Sequence, residues 1–320
     1  MTGRAGERQP DGRQPDERRA APAALRLGTR GSPLARAQSG TAGALIAEAT
    51  GLAVNLVTVR TEGDDLAIPL SAPSRPGAFV ARLRDVLLAG EVDIAVHSFK
   101  DLPFLPTDGL SVVAIPTRAD AFDALVSRDG LTLDRLAPGA RVGTSSPRRA
   151  VALRRRRSDL TIVPIRGNVD TRVRAVAQGQ VDAVVLAAAG LVRLGRGAEI
   201  VEPIGVDVLV PAPAQGALAI EMRADHSLAA AVARLDDADT RVRVTAERQV
   251  LAGVQATCTT AVGAYAELAG DTLTLIADLA DHRGVDYARV TRGVTLGTDR
   301  LADARRLGAS VAAELLGCAA

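Results

Sequence analysis

Two matching α/β lobes followed by a small α+β C-terminal domain are predicted by three features of the 320-residue sequence. From Ala24 to Ser98 the pattern runs strand, helix, strand, helix, strand, which is the signature of βαβ units around a parallel sheet. From Arg141 the segment RVGTSSP repeats the grammar of Leu27 to Pro33: a short strand, a small polar turn, then a proline opening a helix. Beyond Asp239 the character changes to a charged amphipathic helix, two strands and a closing helix. The length also exceeds what one ordinary core sustains, so several domains are expected.

In order, Ala24 to Gly28 reads as a strand, and Ser32 caps a helix that Pro33 opens and that runs to about Ala49. Val54 to Arg60 is the second strand. A Gly/Asp/Pro/Ser-rich loop spans Thr61 to Gly77, and Ala78 to Ala89 is a helix. Val92 to Ser98 is apolar and β-branched, as a strand buried on both faces requires. Leu110 to Pro116 and Asp123 to Ser127 are further strands. The second unit continues with the helix bearing Arg148, Arg149 and the run Arg154 to Arg157. A strand at Thr161 to Ile165 follows, then a helix to about Gln178 and an apolar strand from Asp182 to Ala188. Two short extended segments flank a Gly/Pro turn between Val208 and Ile220. Asp239 to Ala252 is helical, Ala256 to Thr260 is a loop, and Leu273 to Ala280 joins Tyr287 to Val294 through a hairpin turn at Asp281 to Gly284. Thr298 to Leu316 is the closing helix.

Composition narrows the function. Hydrophobic residues are 47% and charged residues 24%, as in a soluble globular protein. A net charge of +2, aromatics at 2% and the absence of Trp argue against nucleic acid, which wants a basic field and stacking platforms. Cys258 and Cys318 form neither a disulfide framework nor a metal-ligand spacing, so no metal is expected and a reducing cytoplasm fits. Met1 to about Ala21 is polar without an apolar h-region and reads as a disordered tail rather than a signal peptide. No apolar run is long enough to span a membrane.

The chemistry collects at strand ends, where open α/β sheets place ligands. Arg30 and Ser32 follow the first strand, and Ser98, Lys100 and Asp101 follow the third. Thr144, Ser145, Ser146, Arg148 and Arg149 begin the second unit's first helix. Arg166, Asn168 and Arg172 follow its next strand, and Arg193 follows Asp182 to Ala188. Two lobes facing each other would bring these groups into one cleft suited to a ligand with several carboxylates or phosphates, because arginine pairs such groups bidentately. Asp101 is the placed carboxylate in that field, suited to acid/base work or to stabilising a developing cation. Lys100 is the sole lysine of the chain. Arg154 to Arg157 reads as a solvated helix face, His97 as a packed histidine, and Cys318 as incidental. Composition leaves Cys258 open between an accessible loop thiol and a small core residue.

At this point the sequence resembles the porphobilinogen deaminase (hydroxymethylbilane synthase) family. The matching segments are LRLGTRGSPLA (Leu25 to Ala35), DIAVHSFKDLP (Asp93 to Pro103), VGTSSPRR (Val142 to Arg149), IRGNVDTR (Ile165 to Arg172), LAAAGLVRLG (Leu186 to Gly195), PAQGALAIEMR (Pro213 to Arg223) and RVTAER (Arg243 to Arg248). The resemblance implies two lobes like those of type II periplasmic binding proteins, crossed twice by the chain, and a third α+β domain. The domains are then expected at 24–116 with 213–235, at 117–212 and at 236–320, after a tail at 1–23. It implies head-to-tail joining of four porphobilinogen molecules with loss of ammonia at each addition. The priming group is a dipyrromethane cofactor held covalently, by a thioether, to a loop cysteine that matches Cys258.

Asp101 matches the catalytic aspartate, facing the cation left when the amine departs. Lys100, Ser98, Thr144, Ser146, Arg148, Arg149 and Asn168 match cofactor-binding positions. Arg30, Ser32, Ser145, Arg166, Arg172 and Arg193 match substrate-binding ones. Gln215 and Gly216 match the return to the first domain. The partners implied are porphobilinogen and the growing pyrrole chain, with a cytoplasmic monomer expected and neither nucleic acid nor membrane. A non-catalytic two-lobed binding module for an anionic small molecule is the alternative. The chain departs from the family at Ser74 to Phe79, where a loop lysine is missing and Pro76 stands in a segment usually mobile. It departs again at Glu62, where relatives carry arginine, and at Ala256 and Thr257, where they carry glycine.

Overall fold

A computed structural model describes residues 24–60, 78–256, 260–281, 284 and 286–318. The expected tail, the loop at 61–77 and Cys258 lie outside the described residues.

The first lobe begins with β1 (Ala24–Arg30), α1 (Pro33–Thr50), β2 (Ala53–Val59), α2 (Ala78–Leu88), β3 (Ile94–Ser98) and β4 (Leu110–Ala114). Ser32 Oγ accepts the Ala35 N–H at 3.3 Å and Pro33 opens α1, so this start is set by local chemistry. The second lobe comprises β5 (Asp123–Ser127), β6 (Arg141–Gly143), α3 (Pro147–Arg156), β7 (Thr161–Val163), α4 (Val169–Ala177), β8 (Ala183–Ala187), α5 (Ala188–Arg193) and β9 (Glu202–Ile204). Next come β10 (Leu218–Arg223), α6 (Ala229–Val232), α7 (Ala238–Gly253), β11 (Ala261–Ala269), β12 (Thr272–Ala280), β13 (Tyr287–Thr295) and α8 (Arg300–Cys318).

Among the described residues the sheets order as β2-β1-β3-β10-β4 and β7-β6-β8-β5-β9. Each has three parallel strands in the order second-first-third, then an antiparallel strand, then an edge. The antiparallel strand of each sheet adjoins a crossing: β5 follows the first passage between lobes and β10 follows the second. The passages are tied together where Ala119 N–H donates to Gly216 O at 3.3 Å and Gln215 Nε2 donates to Ala121 O at 2.8 Å. Gly216 sits at φ 86°, and a Cβ there would lie 2.5 Å from Ala119 O, so both the conformation and the close approach require glycine.

The third sheet, β11-β12-β13, is antiparallel, and α7 and α8 bury Val242, Ala246, Val250, Val311 and Leu315 against Leu273, Leu275 and Ala277. β12 and β13 pair with Ala280 opposite Tyr287, as a hairpin requires, although His282, Arg283 and Val285 of the turn lie outside the described residues.

Three details depart from the sequence reading. β11 was not anticipated, only two strands being expected beyond Asp239. Its run of alanines carries little strand propensity, and the pairing with β12 decides its state. Gly263 is needed there because a Cβ would meet Val210 O at 2.7 Å. Val208 to Pro211, expected as one of two short extended segments, is a connector outside any strand, its Pro211 carbonyl accepting Ala264 N–H at 2.9 Å. α5 starts directly at the end of β8, where a continuous strand to Ala188 was expected.

Candidate active site

β3 delivers its polar residues through a single 3-10 turn, Phe99–Asp101. Buried Phe99 and Leu102 anchor the turn, Phe99 N–H donates to Ala217 O at 3.0 Å, and Leu102 N–H closes on Phe99 O at 3.2 Å. With those apolar residues turned inward, Asp101 is exposed and Lys100 is partly buried. The Lys100 ammonium donates to Gln215 Oε1 at 3.1 Å. Gln215 is itself fully buried, so the lysine is fixed to the second interlobe passage.

Across the cleft, Asp123 at the start of β5 is wholly buried and organises the helix α3. Arg148 Nη1 donates to Asp123 Oδ2 at 2.7 Å and to Val210 O at 2.7 Å. Arg149 reaches Asp123 Oδ1 through Nε at 2.9 Å and Nη2 at 2.7 Å. Burial disfavours the Asp123 carboxylate, yet Arg148 and Arg149 outweigh it and hold the carboxyl well below the usual range. The sequence offered both arginines as cleft cations without an internal partner. In the structure each is ion-paired, because two buried guanidinium groups need a counter-charge.

The electrostatics join these groups into one seam. Lys100 is brought down to about 8, first by burial, with Asp101 and Asp123 opposing the drop and Arg149 and Arg148 adding to it. Burial also lowers Arg149 and Arg172, with Arg148 acting on the former and Arg149 on the latter. Four cations (Lys100, Arg148, Arg149 and Arg172) thus share two carboxylates, Asp101 and Asp123. That excess of positive charge is partly shielded from water, which is what a polyanionic ligand needs.

The other predicted residues fall around this seam. Arg172 Nε donates to Gly167 O at 2.9 Å, and Arg193 Nη2 to Gly216 O at 2.7 Å, so the latter lies on the interlobe passage. Ser145 Oγ donates to Ile165 O at 2.7 Å and stitches the β6–α3 turn to the end of β7, while Thr144 Oγ1 accepts Ser146 N–H at 3.1 Å. Asn168 Oδ1 accepts Thr171 N–H at 2.9 Å as the cap of α4. Ser98 exchanges hydrogen bonds with Gln38 of α1 at 2.9 and 3.1 Å. Arg30 and Ser32 are partly buried at the start of α1, and Arg166 is exposed on the loop after β7. Leu34, near that start, lies 3.6 Å from where a Cβ on Gly190 of α5 would stand, so the lobes touch beside the cleft. Cys258, Glu62 and Ser74 to Gly77 lie outside the described residues. Ala261, three positions beyond Cys258, packs on Val151 of α3.

His97 is packed as the sequence suggests: its Nε2 is 3.1 Å from Glu221 Oε2, and Arg84 pairs with the same carboxylate at 2.7 Å. Arg154 to Arg156 are exposed, with Arg155 over the Tyr287 ring and Arg156 paired to Asp134. Asp123 was missed as a functional residue. Its only local signal is an acidic residue opening an otherwise apolar strand.

Two α/β lobes around a cation-rich seam, with one exposed carboxylate beside a partly buried lysine, define a cleft protein for a polycarboxylate. Residues 25–231 match the family model described as "Porphobilinogen deaminase, dipyromethane cofactor binding domain", and residues 241–317 match its C-terminal domain model. The chain belongs to the porphobilinogen deaminase family. It is 52% identical over 257 residues to "Porphobilinogen deaminase 1" of Streptomyces coelicolor, covering 79% of this chain and 81% of that one. It is 47% identical over 311 residues to the porphobilinogen deaminase of Leifsonia xyli, covering 94% of each. The Mycobacterium bovis porphobilinogen deaminase is 48% identical over 302 residues, or 91% of this chain and 95% of that one. Among solved structures, a periplasmic substrate-binding protein from Coxiella burnetii gives a TM-score of 0.43 at 17% identity, covering 68% of this chain and 93% of that one. The lobe architecture rests on the sheet order itself.

The family is that of hydroxymethylbilane synthase, a transferase of tetrapyrrole biosynthesis with a dipyrromethane cofactor. The seam suits that group: two pyrrole units carry four carboxylates, and the cleft supplies more cations than its own acids neutralise. No helix among the described residues is long and apolar enough to cross a membrane.

Proposed function

We propose that this chain joins four porphobilinogen molecules head to tail, releasing ammonia at each addition, with Asp101 as the catalytic carboxylate. One observation carries the reading: Asp101 is the exposed carboxylate of the seam, one residue from Lys100, whose charge is felt by Asp123, Arg148 and Arg149. The dipyrromethane, when bound, supplies the pyrrole carbon on which the chain is primed, with Cys258 as its attachment point. Lys100, Arg148, Arg149, Ser98, Thr144, Ser146 and Asn168 would hold its carboxylates. Arg30, Ser32, Ser145, Arg166, Arg172 and Arg193 would take those of the incoming unit.

The Asp101 carboxylate accepts pyrrole N–H bonds and offers negative charge where positive charge develops as the amine leaves. The cations around it orient both partners, which supplies much of the rate by proximity. Domain limits at 24–116 with 213–235, at 117–212 and at 236–320, a monomeric cytoplasmic state and no nucleic-acid partner complete the proposal.

Intact mass tests it. The purified protein should exceed its sequence mass by two pyrrole units, and Cys258→Ser should lose that increment. Asp101→Asn should keep the increment and lose nearly all turnover. A wild-type protein at bare sequence mass that acquires nothing from porphobilinogen refutes the reading.

A further inference from the structure

The turn that presents Lys100 and Asp101 is anchored through Phe99 and Leu102, and its carbonyls still need partners. It is a three-residue 3-10 segment closed by one bond, Leu102 N–H to Phe99 O. Short 3-10 turns have poor hydrogen-bond geometry and leave carbonyls in need of partners. Those partners come from another part of the molecule. Arg248, on α7, donates Nη1 to Phe99 O at 3.1 Å and to Leu102 O at 2.9 Å, and Nη2 to Pro103 O at 2.7 Å. Its guanidinium also stacks 4.3 Å from the centre of the Phe99 ring. The three carbonyls bracket Asp101 on both sides.

Arg248 has no carboxylate partner among the described residues, and burial together with Arg84 pulls it down to about 10. A cation kept partly buried without a counter-ion is a cost to folding, so its retention calls for another reason. α7 is held independently. Glu247, one residue earlier, is fully buried and accepts Arg118 Nη1 at 2.6 Å, Ala214 N–H at 2.7 Å and Ala266 N–H at 2.9 Å. The guanidinium is therefore aimed from a fixed helix, and its planar fork spans the three carbonyls while lying on the Phe99 ring, a geometry a single ammonium does not reproduce.

We propose that Arg248 is a positioning residue for the reaction: from the third domain it fixes the Phe99–Pro103 turn and so sets where Asp101 and Lys100 stand in the cleft. This rests on the reading of Asp101 given above. The guanidinium touches no group of the seam and acts only through the turn. It also borders a cavity of about 210 Å³ lined by Phe99, Phe104 and Arg305, which is open enough to admit a small cation.

The test uses the cofactor-loaded protein. In Arg248→Ala, kcat should fall by roughly tenfold to a hundredfold, the scale of a misplaced catalytic group, with KM changed by less than about threefold. The mass increment of the cofactor should persist, and the Leu102 amide should exchange with deuterium faster while α7 stays protected. Millimolar guanidinium, entering through the cavity, should restore part of kcat in this variant. It should not do so in Asp101→Asn or in Arg305→Ala, which lines the same cavity and should match the wild type without it. Arg248→Lys keeps the charge but not the fork and should remain slow; it also serves if the alanine variant does not fold. Variants that turn over within twofold of wild type, or that lose thermal stability with kcat unchanged and no response to guanidinium, overturn the inference. An Asp101→Asn protein that still turns over would instead remove the reading beneath it.

Discussion

Replacing Lys100 by methionine should make the cofactor-free protein more stable while damaging its affinity for polycarboxylates. Without ligand, the fold keeps an ammonium where burial and two arginines disfavour it, and Lys100 titrates at about 8 instead of 10.5. At about 1.4 kcal/mol per pKa unit, holding that charge at neutral pH costs roughly 3 kcal/mol. Methionine has similar length and no charge, but it gives up the hydrogen bond to Gln215 and leaves that buried Oε1 unpaired, a cost of about 1–3 kcal/mol. Lys100→Met should therefore gain up to about 2 kcal/mol, or as much as roughly 4–8 °C in melting midpoint. The pH dependence has a definite sign. Because the folded pKa is the lower one, the unfolded chain binds more protons between pH 8 and 10.5, and the lysine's contribution makes stability rise across that window. Urea denaturation of Cys258→Ser, with and without Lys100→Met, read by circular dichroism from pH 7 to 10, measures both effects. A double variant less stable than its parent at pH 7, or a parent-minus-variant difference flat from pH 8 to 10, refutes the reasoning.

Asp123→Asn should destabilise the protein by about 3–5 kcal/mol, since it strands two buried guanidinium groups; a change below about 1 kcal/mol in urea unfolding would contradict the pairing. Gly216→Ala drives a Cβ to 2.5 and 2.6 Å from the Ala119 and Asp120 carbonyls in a left-handed conformation, so a loss of at least ~2 kcal/mol and faster proteolysis at the passages are expected. In the cofactor-free protein, affinity for a polycarboxylate should decline as pH rises through about 8, where Lys100 loses its charge, and Lys100→Arg should move that limb upward; an unmoved limb assigns it to another group.

Much of the fold was legible because its cues are local. Ser32 before Pro33 starts α1, the apolar run to Val96 makes β3, and the repeated turn-and-proline grammar marks the second lobe. The strand-end residues were found for the same reason: topology, once recognised, places them. What stayed hidden depends on distant pairings. Nothing near Asp123 says that Arg148 and Arg149 will close on it, and nothing near Arg248 points to the carbonyls of Phe99, Leu102 and Pro103. Lys100 was expected to await a ligand carboxylate, and the structure gives it a prior engagement with Gln215. β11 was lost because its alanines say little until β12 lies beside them.

The position of β10 has a consequence for how the chain is made. It is the fourth strand of the first sheet, between β3 and β4, although it is among the last parts of that lobe to leave the ribosome. β4 ends at Ala114 and waits for Leu218 before it has a ladder partner, an interval of about 100 residues or on the order of 5–20 s of synthesis. The second sheet is drawn wholly from β5 to β9 and can close during that wait. For those seconds the nascent first lobe carries a bare β3 edge and an orphan strand, the kind of template on which chains aggregate. A message truncated between the two passages therefore yields an open sheet, not a smaller working unit.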